Sequence, residues 1–584
     1  MRISLAFAWI AVTGCVAPPN PAPNPASATV NVDSQRASVV LRALFESHWE
    51  REQRENPVAA SLRGDRRFNR QWPDRSLAGL AASHRADREE LARADAIDTQ
   101  TLNRDEQIHL RVFKLMLRNR IENYRLGNHL MPVNHREGVQ ALNGTADYLR
   151  LETEQDVRDW LARLSTVDRV VEQTIEVLRE GIAQGRTQPR IVMERVPKQI
   201  AAQVVSDPRE SPFFSAIPDA YGEEGARIIE TVVVPAYRRF STFFNDVYLP
   251  ACRNTIAATA LPAGDKVYAF AVRRHTTTQL TADEVHTIGL REVERIRREM
   301  EAVRQEVDFA GDLAAFMEFL RTDPQFFYPS SEELLAGYEA MAARLTPKLP
   351  ELFGRLPRAR FEVRAIPDTI APDTTTAYYG PPALDGSRPG YYWVNLYEPA
   401  SRPKWEMAAL SVHEAVPGHH LQIAIAQELE GVPQFRREYW VTAFGEGWAL
   451  YSERLGYELG LYEDPYSRFG QLTYDMWRAV RLVVDTGMHA KGWSRDRAIR
   501  YFMTHAPKSE LDIVNEIDRY IAWPGQALGY KIGQLEILKL RAEAERVLGE
   551  RFDLRAFHDV VLGSGTIPLE ILAANVRGWI SSHE

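Results

Sequence analysis

From about Ser34 to the C-terminus, apolar residues recur at three- to five-residue spacing, the mark of helices with one buried face. The stretch after His275 shows it best. Thr281-Ala-Asp-Glu284 is a capping box: the Thr hydroxyl covers a free amide of the first turn, and the Glu reaches back to the Thr N–H. Val285, Ile288, Val293, Ile296, Met300 and Val303 then make the stripe of an amphipathic helix. Residues 41–53, 106–122, 155–184, 224–248, 332–346, 405–430, 441–460, 470–491 and 531–548 read the same way. Alternation with period two is confined to Arg360–Ile366 and to the aromatic run Gly390–Leu396, which follows a Pro-Gly turn. The pattern predicts a mostly α fold, a large helical domain with one small β-sheet.

The 584 residues exceed what one pair of layers accommodates, so residues 34–584 are expected to form either one large helical domain or two lobes, about 34–350 and 351–584. Hydrophobic residues at 45% and charged residues at 26% supply a globular core and surface. A formal charge of −8, with Lys and Arg dispersed among Asp and Glu, argues against nucleic acid as a partner, which calls for a basic face. The N-terminus reads as an export signal, with Arg2 ahead of a short apolar run from Ile3 to Val12 that cannot span a bilayer. Val12-Thr13-Gly14-Cys15 resembles a bacterial lipobox. Residues 1–14 are thus a signal peptide, Cys15 a lipidation site, and 15–33 a Pro-rich spacer. Val16 after the cysteine points to the periplasmic face of the outer membrane in a Gram-negative host. Cys252 is the other cysteine of the chain, so a lipidated Cys15 leaves no intrachain disulfide. Contact with the membrane is expected through the anchor alone, since no later segment approaches the ~18 apolar residues of a spanning helix.

The chemistry is carried by Ser411-Val-His413-Glu414-Ala-Val-Pro417-Gly418-His419-His420-Leu-Gln422. In a zinc-peptidase helix, His-Glu-x-x-His sets two imidazoles one turn apart and aims the Glu at the bound water. Here Pro417 occupies the position four after His413, where it can neither ligate nor donate an N–H, and its ring crowds the His413 carbonyl. The helix must therefore be distorted, with Gly418 taking the dihedrals this needs. His420 shares a face with His413 on a straight helix but lies ~10 Å along the axis. His419 reaches the metal if the Pro-Gly break absorbs the extra residues. His419 is the preferred second ligand, with His420 as its rival or as a supporting residue.

A second segment, Phe444-Gly445-Glu446-Gly447-Trp448-Ala-Leu-Tyr451-Ser-Glu453, opens a helix just downstream. Two glycines around a Glu suit a backbone that approaches another element closely. A site with two His on one helix commonly takes a Glu from the next as third ligand, the place of Glu446. Glu453, seven residues on, faces the same way and would orient a ligating imidazole.

Both segments resemble the bacterial domain of unknown function 885, with its His-Glu-x-x-Pro-Gly-His and Gly-Glu-Gly-Trp-Ala signatures. The resemblance extends through the capped helix after His275, Tyr378-Tyr-Gly-Pro-Pro382, Val484–Trp493, Arg519-Tyr520 and Pro524–Ala527. The family in turn resembles the helical gluzincin-type zinc peptidases typified by angiotensin-converting enzyme and the thimet-type oligopeptidases, which implies a deep channel between helical lobes. It implies one Zn2+ per chain on His413, His419 and Glu446, with Glu414 as general base. By the same likeness, Tyr530 or His489 would donate to the oxyanion, and Arg519 or Tyr520 would hold a substrate carboxylate. The strand Tyr391–Asn395 would either pair with a bound peptide by strand addition or form a buried hairpin. The expected activity is zinc-dependent hydrolysis of short peptides. A zinc amidohydrolase acting on a cell-wall or other non-peptide amide, and a non-catalytic binding lipoprotein, are the alternatives.

Overall fold

The capping box at Thr281 forms as read: Glu284 accepts from the Thr281 N–H at 2.8 Å, and the Thr hydroxyl accepts from the Glu284 N–H. In the computed structural model, which describes residues 32–584 apart from 150, 369, 370, 374, 385 and 387, this box opens a helix over Ala282–Glu306. The export leader, Cys15 and most of the Pro-rich spacer lie outside the described residues. The periodic segments are helical, with three informative departures. The stretch 155–184 is two helices, Glu154–Leu164 and Val167–Ala183. The stretch 224–248 continues through wider π-type turns at Ile229–Val233 and Phe244–Tyr248. Each wide turn sits just ahead of a proline, Pro235 or Pro250, where it relieves the crowding of ring against carbonyl. The third departure, between 414 and 419, builds the site.

Seven helices frame that site: α1 (Ala282–Glu306), α2 (Lys404–Glu414), α3 (His419–Glu428), α4 (Thr442–Arg454), α5 (Pro465–Ala490), α6 (Glu510–Ala522) and α7 (Gly529–Leu548). Helix α5 is the axis, buried on all sides from Phe469 to His489. Its polar residues therefore need partners from neighbouring elements. Asp475 pairs with Lys531 of α7 and with Arg295 of α1, Asp485 accepts from the Tyr268 hydroxyl at 2.7 Å, and Thr486 meets His286 of α1 at 2.8 Å. Helices α4 and α7 meet backbone to backbone. A Cβ on Gly447 would strike the Cα of Gly533, and one on Gly533 would fall on the carbonyl oxygen of Ala443.

Three strands, β1 (Phe361–Ala365), β2 (Ala377–Gly380) and β3 (Gly390–Val394), form a sheet in the order β1-β3-β2. Strand β3 runs parallel to β1 and antiparallel to β2. It is the central strand with both edges occupied, so Tyr391–Asn395 cannot take up a peptide by strand addition. Strand β2 escapes the period-two pattern because it is four residues long and stops at Pro381-Pro382.

Two hydrophobic clusters make up most of the core. One joins Trp160, Tyr237 and Ile296 to Met476, Val480 and Ile517; the other joins Leu41 and Phe113 to Trp448, Ile537 and Leu572. Each draws on both sides of residue 350, so a boundary there does not separate two independently packed cores. No helix among the described residues is long and apolar enough to cross a membrane.

Candidate metal centre

Helix α2 stops at Glu414 because Ala415 (φ −97°, ψ −103°) leaves the helical region and Pro417 can give no N–H to the next turn. The chain folds back on itself: a Cβ on Gly418 would overlap the carbonyl oxygens of Val412 and His413, which leaves room for glycine alone. The break is clamped from α4. The Pro417 carbonyl accepts the Trp448 indole N–H at 2.9 Å and lies 3.4 Å from the Ser452 hydroxyl. The Trp of the downstream signature therefore holds the Pro-Gly turn of the upstream one.

This turn brings His419 round to His413. Their ring centroids are 4.8 Å apart at an interplanar angle of 87°. Glu446 Oε2 lies 3.4 Å from His419 Nε2 and 3.9 Å from His413 Nε2. One ligand atom from each of the three residues falls within 4.8 Å of the others. These separations are long for hydrogen bonds. They suit donors sharing one cation, since bonds of ~2.1 Å at tetrahedral angles set neighbouring ligand atoms ~3.4 Å apart. His413 Nδ1 meets Glu453 Oε1 at 2.8 Å, the outer carboxylate that fixes a ligating imidazole's tautomer. His419 Nδ1 is buried without a hydrogen-bond partner. The donor set therefore fits a zinc ion, with Glu414 beside it.

His420 turns the other way. Its Nδ1 meets the Tyr379 hydroxyl at 2.8 Å and its Nε2 the Ala359 carbonyl at 3.1 Å, tying the sheet to α3. Glu414 accepts the backbone N–H of Tyr379, so β2 also positions that carboxylate. Burial, opposed by the nearby His419, raises the Glu414 pKa above its ordinary value. Burial raises Glu453 to about 8 and, with the charge of Arg478, pushes His413 well below the usual histidine range. For His419 and Glu446, burial is outweighed by their mutual attraction across 3.4 Å, which lifts the histidine and lowers the glutamate. The Tyr530 hydroxyl also bonds Glu446.

Three expected substrate contacts do not stand. His489 is fully buried, with Nδ1 accepting the Ala258 N–H at 3.0 Å and Nε2 on the Tyr520 carbonyl at 3.0 Å. Both ring nitrogens serve the fold, leaving none for an oxyanion. The Tyr520 hydroxyl is consumed by Glu516, Arg481 and Trp477. Asn395 is buried, its amide on the Ala371 carbonyl at 2.8 Å and its oxygen on the Tyr397 N–H at 2.9 Å, where it shapes the loop before β2. Tyr391 is half-buried beneath the Arg364 and Arg388 guanidiniums. Arg519 lies in the group around Tyr530, bonded to Glu516 and Gln526. Missed by the sequence reading are Arg478, 3.4 Å from Glu453, and Arg481, stacked 4.3 Å from the Tyr530 ring. Their signal was two guanidiniums in Met476–Val484, a stretch otherwise apolar on every face, where a helix is buried all round.

These features define a mostly helical protein with a buried two-histidine, one-glutamate cluster at a broken helix. The chain belongs to the family of bacterial proteins of unknown function DUF885, whose profile matches residues 57–576. A protein of Colwellia psychrerythraea, provisionally described as a lipoprotein, shares 29% identity and a TM-score of 0.86, covering 94% of this chain and 99% of its own. One from Shewanella oneidensis, provisionally a lipoprotein of unknown function, has the same fold at 17% identity and a TM-score of 0.70, covering 92% and 99%. Comparison with curated proteins finds no match.

Proposed function

We propose that this protein is a zinc-dependent hydrolase of short peptides, exported and tethered to a membrane by lipid on Cys15. The observation that carries the reading is the convergence of His413, His419 and Glu446 at ligand rather than hydrogen-bond separations, with the Glu414 carboxylate following His413 directly. A zinc ion there would supply a Lewis acid that polarises an amide carbonyl and acidifies a water. Glu414, oriented by the Tyr379 N–H, takes the proton of the attacking water and returns it to the leaving amine. Tyr530, whose hydroxyl already reaches Glu446, donates to the developing oxyanion.

An extended peptide finds a template in β2 rather than β3. The Asn395 N–H to Thr376 carbonyl bond sets the alternation of the β2–β3 ladder, which turns the N–H and carbonyl of Ala377 and the carbonyl of Tyr379 away from β3, the Tyr379 N–H being taken by Glu414. The lipoprotein descriptions of the two similar structures support the anchor read at Cys15. The test is Glu414→Gln. It should keep one zinc per chain and lose at least ~100-fold in hydrolysis of peptides that the zinc-loaded wild type cleaves from a library. Full activity in the variant, or no peptide cleaved by the wild type, overturns the assignment.

A further inference from the structure

Beside the metal centre lies a group with more buried positive charge than the fold consumes. The Glu516 carboxylate is shared by two guanidiniums: Arg481 through Nη2 at 2.9 Å, and Arg519 through Nε at 3.0 Å and Nη2 at 2.9 Å. The Tyr520 hydroxyl donates to the same carboxylate at 2.6 Å and accepts Arg481 Nε at 2.8 Å. One carboxylate thus faces two cations. Arg481 is only 5% exposed, and its Nη1 is buried with no hydrogen-bond partner. An unpaired buried guanidinium nitrogen is costly unless an anion arrives to meet it.

The geometry says where that anion would sit. Arg481 stacks on Tyr530, and Tyr530 reaches Glu446 of the ligand cluster. Arg478, one helical turn before Arg481 on α5, brings its Nη2 to 3.5 Å from His413 Nδ1, so this face of α5 borders the ligand cluster and a group held by Arg481 lies near the reacting bond. Gln526 accepts Arg519 Nη1 at 2.6 Å, bonds Tyr530, and lines a cavity of about 400 Å³. On that side stands Arg136, its guanidinium 5.6 Å from the Trp523 ring and bonded to no carboxylate among the described residues. Its acidic neighbour Glu137 is turned to Trp523 Nε1 at 2.8 Å and Asn134 Nδ2 at 3.0 Å.

We propose that Arg481, braced by Glu516 and Tyr520 and assisted by Arg136 beside the Trp523 ring, binds a carboxylate of the substrate close to the cleaved bond. This deepens and rests on the peptide-hydrolase reading of the adjoining centre. A guanidinium presenting a free edge recognises a carboxylate, whether it is a peptide's C-terminus or an acidic side chain. Tyr520 and Glu516 are positioning residues that hold the Arg481 plane.

The test measures binding by calorimetry to the Glu414→Gln protein, so that ligands are not consumed. The probes are acetyl-Ala-Ala-Ala, its C-terminal carboxamide, and acetyl-Ala-Glu-Ala-carboxamide. At least one carboxylate-bearing probe should bind about tenfold or more tighter than the neutral amide, and which one does so identifies the source. Adding Arg481→Gln should erase that ratio and leave the amide's affinity unchanged. Arg136→Gln, at an exposed position, should lower the ratio about threefold without affecting folding, which keeps the test decisive if Arg481→Gln is unstable. Equal binding of all three probes, or a ratio that both substitutions leave intact, overturns the anchor. Carboxylate-selective binding with no peptide cleaved by the wild type removes the hydrolase reading and keeps the anchor. Cleavage of acid and amide at equal kcat/KM does the reverse.

Discussion

At the scale of residues, the fold treats its histidines in distinct ways, and the difference follows from what each ring nitrogen meets. His413 and His419 turn a nitrogen toward Glu446, whereas His489 and His558 spend both nitrogens on the fold. Burial pushes His489 down to about 4 and His558 to about 3, below the ~6.5 of an exposed histidine. Below pH ~6.5 the unfolded chain binds protons that these folded rings refuse, so each lowers stability as pH falls toward its folded pKa. Above ~6.5 neither contributes a slope. Each should remove on the order of 2 kcal/mol by pH ~5. Thermal unfolding should accordingly shift down between pH 7 and 5, and His489→Gln should flatten part of that slope. An unfolding midpoint flat across this range would show that these rings protonate freely in the fold.

At the scale of elements, the site is a broken helix held open by a helix pair. The break was legible: Pro417 forbids a regular turn and Gly418 supplies the backbone that replaces it, which is why His419 rather than His420 turns to His413. The clamp was not legible, because nothing local tells that the Trp448 indole serves the Pro417 carbonyl. Strand β2 was hidden by its length, and the Tyr379 N–H on Glu414 with it. The glycines around Glu446 were read as marking a close approach, and they do so in two ways. Gly447 meets Gly533 of α7, and Gly445 lies under the ring of Trp440, itself 6.0 Å from the His419 ring. Gly533→Ala puts a methyl group on the Ala443 carbonyl, forcing apart the helices that carry Glu446 and Tyr530. The cost should be about 1–3 kcal/mol in urea unfolding, together with weaker zinc binding. Wild-type stability and zinc affinity in this variant would show that the glycine contact does not position the site.

At the scale of the whole molecule, helical periodicity reported the fold class because amphipathic stripes survive any arrangement of the helices. It could not report which helices share a core, and both large clusters cross the middle of the chain. It found α5 at 470–491 but not that the helix is buried on every side, which conceals Arg478 and Arg481 as parts of the site. Motifs far apart in sequence, at 413–422, 444–453 and 519–530, converge on one centre, and this convergence is the central claim. The most direct test is zinc stoichiometry and affinity of the wild type, His419→Ala and His420→Ala, each shown to be folded by circular dichroism. One zinc per wild-type chain is expected, with severe loss in His419→Ala and retention in His420→Ala with at most the ~10–100-fold weakening of an outer residue. A wild type without stoichiometric zinc, or a metal-free His420→Ala beside a normally binding His419→Ala, would contradict it.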